Sequence, residues 1–195
     1  MDDPKAALID GILELEMEMF LAVPTEGSCE CKENIDLFGV HRKAQFQAWS
    51  EPTLRSYLED LGTARRKGIN LMTLKYARME DKIPRYNTNP AIAELVDIML
   101  AWQVEFLERH GRLKERARPL EHDDTDNPVR SFPHYLGSEL ETYSTRTLAC
   151  LLEDIHAKRA AGVNMSEEIY RNVFDGLGYD SVDTAERSIG PADPG

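Results

Sequence analysis

Apolar residues recur at three- and four-residue spacing through most of the chain, while alternating runs of β-branched residues are scarce. That periodicity predicts an all-α protein. The first helix is expected from about Lys5 to Ala22, with Leu8, Ile12, Leu15 and Met19 on one stripe and Val23-Pro24 as the stop. A polar loop to about Val40 leads into a second helix, His41 to Lys67, with a bend expected at Ser50-Glu51-Pro52, where Ser50 suits an N-cap and Pro52 a first turn. Gly68 ends that helix. Asn70 can then cap a third, about Leu71 to Asp81, which Pro84 and the YNTNP run terminate. Asn89-Pro90 opens a fourth, to about His110. The charged stretch 111–134 reads as a linker to a fifth helix, about Tyr135 to Ala161, and Gly162 with Asn164 repeats the stop and restart before a sixth, to about Leu177. Beyond Gly178 one short turn is expected at Thr184 to Arg187, within a C-terminal tail, 184–195, expected to be flexible.

The repeated stop and restart belongs to a larger repetition. TLRSYLEDLGTARRKGIN (Thr53 to Asn70) and TLACLLEDIHAKRAAGVN (Thr147 to Asn164) share Thr, Leu, Leu, Glu, Asp, Arg, Gly and Asn at matching positions, eight of eighteen. Phe46 to Ser50 lies over Leu140 to Ser144 at the same offset. LIDGILELEMEMF (Leu8 to Phe20) overlies LVDIMLAWQVEFL (Leu95 to Leu107), placing Glu16 on Gln103. The expected architecture is therefore a pseudo-two-fold duplicated three-helix unit, with repeats of about 5–81 and 90–178, forming a single helical bundle within one domain, 1–183.

Composition narrows the functional classes. A formal net charge of −12 offers no global positive field for a nucleic-acid backbone or an anionic membrane. No segment of about 18 uncharged apolar residues is present, and the N-terminus lacks a basic region ahead of an uninterrupted apolar run, so a cytoplasmic location is expected. Cys29, Cys31 and Cys150 are too few for a disulfide framework.

Helix periodicity accounts for most positions, and the exceptions are the candidates for chemistry. Asp10, Glu14 and Glu18 share one side of the first helix, a wet or cleft-facing edge. Glu16 instead falls in the middle of an apolar arc, and so does Gln103; a polar residue there must be hydrogen-bonded or face an internal cleft. The following helix supplies Gln45 and Gln47, and its copy Glu139 and Glu141. One arrangement gathers Glu16, Gln45, Gln103 and Glu139 around the pseudo-axis, as a structural network or a ligand cup. Arg42, Lys75, Tyr76, Arg78 and Tyr143 are the residues expected beside it, with the basic groups suited to neutralising carboxylates or to holding an anionic ligand. No metal site is expected. Cys29, Cys31 and His41 lack the spacing and fourth ligand of a zinc site, Glu153 and His156 form a Glu-x-x-His whose copy has no histidine, and His122 to Asp124 lies in a linker.

E-M-E-M-F (Glu16 to Phe20), R-x-x-Q-F (Arg42 to Phe46) with Trp49, G-x-N-L (Gly68 to Leu71), K-Y-A-R-M (Lys75 to Met79) and E-L-E-T-Y-S (Glu139 to Ser144) together resemble the bacterial family called domain of unknown function 4125, over roughly Leu8 to Asp183. The resemblance implies no assigned activity. Some relatives are joined to a nucleotidyltransferase-like domain, which implies a supporting role near such an enzyme. Relatives also carry an arginine just before the glycine of the second-half motif, where this chain has Leu136.

Three functions remain open. The first is a small-molecule binding protein or enzyme, with a cleft between the repeats in which Glu16 and Glu139 act as acid or base. There Arg42, Gln45, Lys75, Tyr76, Arg78, Gln103, Glu141 and Tyr143 would bind a small anionic metabolite, with the loops 23–40 and 111–134 as lids. The second is a non-catalytic interaction or regulatory module whose acidic surface meets a protein partner. The third is a metal-dependent helical enzyme. No cofactor is specified by any motif.

Overall fold

The computed structural model describes residues 3–24, 35–121 and 130–189. Among them lie ten helices and no strand: α1 (Pro4–Leu21), α2 (Ile35–Gln47), α3 (Glu51–Arg66), α4 (Leu71–Met79), α5 (Pro90–Arg109), α6 (Gly111–Arg116), α7 (Phe132–Leu140), α8 (Thr145–Ala160), α9 (Met165–Gly176) and α10 (Val182–Ser188). No described helix is long and apolar enough to cross a membrane.

The expected second helix is two, and so is the fifth. Each break is made by a serine with extended backbone: Ser50 caps α3 and Ser144 caps α8. Each capping serine is gripped in turn by an aspartate of the other helix. Asp154 accepts from the Ser50 amide at 2.9 Å and the Thr53 hydroxyl at 2.7 Å, while Asp60 accepts from the Ser144 amide at 3.0 Å and the Thr147 hydroxyl at 2.7 Å. These contacts make α3 and α8 antiparallel neighbours. The charged stretch read as linker holds α6, and α10 is longer than the single turn expected and packs into the protein through Val182 and Ala185 rather than belonging to a flexible tail.

The two Gly-x-Asn turns work as read. Gly68 and Gly162 have positive φ of 66° and 69°, closing α3 and α8 through the bonds Ile69 N–H to Ala64 O (2.9 Å) and Val163 N–H to Lys158 O (2.8 Å). Asn70 and Asn164 then accept from Thr73 and Glu167 amides to start α4 and α9.

Packing follows from these corners. α1 lies against α2, α3 and α4, and α5 lies against α7, α8 and α9. Between the two groups α3 meets α8, α2 meets α9 and α4 meets α7. The main core passes through Ile12, Phe46, Leu54, Tyr57, Leu95 and Leu148. A smaller one, at the far end of α5, joins Phe106, Leu107, Leu113, Phe174, Val182 and Ala185.

Candidate functional site

Glu16 is carried inward by its own helix. Ile12, Met19 and Phe20 on the same face are buried, so the carboxylate goes with them and must find partners there. Arg42, buried on α2, supplies a two-pronged one: Nε donates to Glu16 Oε2 at 2.7 Å and Nη2 to Oε1 at 2.6 Å. The Tyr57 hydroxyl donates to the same Oε1 at 2.6 Å. The remaining prong of Arg42, Nη1, donates to Glu139 Oε1 and to Gln45 Oε1, each at 2.8 Å.

Glu139 reaches this point because α7 packs against α4 and α5. Its Oε1 also accepts from the Tyr143 hydroxyl (2.6 Å) and Gln45 Nε2 (3.1 Å), and its Oε2 from Lys75 Nζ (2.6 Å). Lys75 donates in addition to the Tyr135 hydroxyl at 3.0 Å and sits 4.3 Å from the centre of that ring. Two carboxylates thus face two cations. The tyrosine rings of positions 57 and 143 lie 4.7 Å apart and, with Phe46 and Trp49, wall the network with aromatic surface.

The electrostatics follow from burial and charge together. Burial pushes the Glu139 carboxyl up, but Arg42 and Lys75 outweigh it and hold the group well below the usual carboxylate range. Burial would lower Lys75 and Arg42, yet Glu139, joined for Arg42 by Glu16, raises both. Burial, then the neighbouring carboxylates, push the Tyr57 and Tyr143 hydroxyls well above their ordinary value. A general base works best with a pKa near the working pH, and Glu139 is far below it.

Of the residues expected together, Glu16, Arg42, Gln45, Lys75, Glu139 and Tyr143 converge. Gln103 does not: its amide donates to the Tyr170 hydroxyl at 2.9 Å, beside Phe106 in the smaller core. Gln103 therefore lies apart from Glu16, Gln45 and Glu139, with which the sequence grouped it. Arg78 and Glu141 pair with each other at 3.3 Å in a second cluster, where Glu141 also accepts from the Tyr86 amide and lies 3.7 Å from Arg85. Tyr76 follows Lys75 in sequence, and its ring packs 6.4 Å from Phe20. Asp10, Glu14 and Glu18 form a wet edge.

Sequence reading missed Tyr57 and Tyr135 as members. Tyr57 was hidden inside the repeated helix, where its match is Leu151, and that polar-for-apolar difference was the available signal. Among the metal candidates, Glu153 is exposed and the exposed His156 pairs with Glu94 at 2.9 Å. His41 is exposed; Cys29, Cys31 and His122 to Asp124 lie outside the described residues.

A second feature had no sequence signal. Where the end of α5 meets α9 and α10, Arg109, His110, Glu167, Arg171, Asp175 and Asp183 help line a cleft of 690 Å³. Arg109 bonds Glu167 at 2.6 Å, and Arg171 bonds the other oxygen of the same carboxylate.

No curated protein and no solved structure matches the chain. A family model does match, over residues 6–187, and the chain belongs to that family, described as protein of unknown function DUF4125.

Proposed function

We propose that this chain is a non-catalytic binding or regulatory module in which the Glu16–Arg42–Glu139–Lys75 network fixes the packing of α1, α2, α4 and α7, and that its acidic exterior meets a protein partner. The observation that carries this reading is the closure of the network. Glu16, Arg42, Lys75 and Glu139 are 0%, 3%, 4% and 2% exposed, so a substrate has no surface to touch. Every carboxylate oxygen already accepts a hydrogen bond, and the charges cancel. An acid/base cleft would instead leave one oxygen open and its pKa near neutrality.

We also infer a duplicated unit. The helix neighbours exchange when α1, α2, α3 and α4 are swapped for α5, α7, α8 and α9, and the two aspartate clamps exchange with them. One register differs: Asn70 donates to the Met19 carbonyl and Asn164 to that of Trp102, one helical turn from the residue overlying Met19. That slip fits with Gln103 lying apart from the ion network.

The test is a thermal-shift screen of small anionic metabolites against wild type and Glu139→Gln. The module reading expects no ligand whose stabilisation depends on Glu139, and it expects the Arg42 Nε proton to exchange with solvent only on global unfolding. A metabolite that stabilises the wild type, loses its effect in a folded Glu139→Gln, and exposes Arg42 to exchange overturns it.

A further inference from the structure

His110 ends α5, and its ring lies against Phe106 with centroids 4.6 Å apart. Its Nδ1 is 2.8 Å from Glu186 Oε2. Asp183 and Glu186 stand three apart on α10 and so share a side of that helix. One ligand atom from each of His110, Asp183 and Glu186 lies within 4.8 Å of the other two. Around a tetrahedral ion with bonds of about 2.0–2.2 Å, neighbouring ligand atoms are on the order of 3.5 Å apart, so closing the set takes on the order of 1 Å of movement. Asp183 is exposed and can supply that movement by side-chain rotation.

The other two ligands are held. Glu186 Oε1 accepts from the Arg112 amide at 3.0 Å, which leaves Oε2 aimed at His110. That is the outer-shell support that orients a metal-binding carboxylate. Val182 and Ala185 anchor α10 in the smaller core, so the ligands stand on packed elements rather than on a loose end. His110 and Asp183 also line the 690 Å³ cleft, which gives a three-ligand ion room for further ligands on that side.

We propose that His110, Asp183 and Glu186 bind a divalent transition ion of the zinc type, with its open coordination positions facing the cleft. One imidazole with two carboxylates suits Zn²⁺, Mn²⁺ or Co²⁺ better than Mg²⁺ or Ca²⁺, which favour all-oxygen shells. The competing account is a simple clip, in which the His110–Glu186 contact ties α10 to the α5–α6 corner without an ion.

Chelator-treated full-length protein is titrated with Zn²⁺ by calorimetry and with Co²⁺ by visible absorption, in wild type, His110→Gln, Asp183→Asn and a Cys29→Ser, Cys31→Ser variant. The expected result is one ion per chain, a Co²⁺ ligand-field band shifted from and stronger than that of the aqueous ion, and at least about tenfold weaker binding for Asp183→Asn, whose exposed position leaves the fold intact. His110→Gln should abolish the band, and the cysteine variant should bind as wild type. Absence of one-to-one binding, binding indifferent to Asp183→Asn and His110→Gln, or loss of binding in the cysteine variant overturns the proposal.

Discussion

Glu139 is the residue on which the network turns, because it is the single anion shared by Arg42 and Lys75. Glu139→Gln keeps the shape and removes the charge, leaving two buried cations against Glu16. Breaking a buried ion pair by removing one partner costs about 3–5 kcal/mol, and a loss in that range is expected from urea unfolding at neutral pH. Adding Lys75→Met restores neutrality and should recover part of it; an equal or larger loss in the double variant would show that charge balance is not the cause. The pH dependence has a definite sign. Glu139 is depressed in the folded state, so its contribution is present above the unfolded carboxylate value of about 4.3 and is lost as pH falls from there through the lower folded value. Wild type should lose stability across that acid window more steeply than Glu139→Gln. Glu16 was legible in the sequence because it is polar at a position that helix periodicity assigns to the interior, and Glu139 because it matches Gln45, a carboxylate standing where the first stretch has an amide. Tyr57, which donates to Glu16, and Tyr135, which accepts from Lys75, were not, because a tyrosine at an apolar position needs no special explanation.

At the scale of the helix, what fixes the fold is where helices stop. The bend at Ser50 was readable because Pro52 follows it, and the equivalent break at Ser144 was not, because Arg146 stands where the proline would be. The second break, like the first, is held by a distant aspartate, here Asp60, which no local pattern reveals. α6 was missed for another reason: in GRLKER only Leu113 is buried, too little apolar periodicity to stand out from a charged linker. The paired clamps make a measurable claim. Asp60→Ala and Asp154→Ala each remove bonds to an amide and a hydroxyl at a helix start, and each should destabilise by about 1–2 kcal/mol in chemical denaturation. The two clamps lie about ten residues apart along each helix, about 15 Å, so the double variant should be additive to within about 0.5 kcal/mol. A strongly unequal pair of losses would mean that the two helix starts are not held in the same way.

At the scale of the molecule, the all-α class was legible from periodicity, but the placement of the ion network was not, since it depends on which helices cross between the two groups. Arg42 and Lys75 come from α2 and α4, and the carboxylate they share comes from α7. A chain divided after Lys82, in an exposed turn, would leave Glu16, Arg42 and Lys75 on the first piece and Glu139, Tyr135 and Tyr143 on the second. The first piece alone would leave Lys75 without its carboxylate and the Arg42–Glu16 pair without its α7 cover, and at 82 residues it has little core to spare for that loss. Arg85 to Asn87 would stay with the second piece, where Tyr86 and Asn87 already bond to Glu141. We therefore expect each piece alone to lack a cooperative thermal transition, and the two pieces, co-expressed with a tag on one, to purify as a one-to-one complex that melts as a unit. Glu139→Gln on the second piece should weaken the complex further, since association must then be won without the anion that Arg42 and Lys75 share. A first piece that folds by itself with the Arg42 guanidinium protected from exchange would show that Glu139 is dispensable to the network, and the module reading would lose its physical basis.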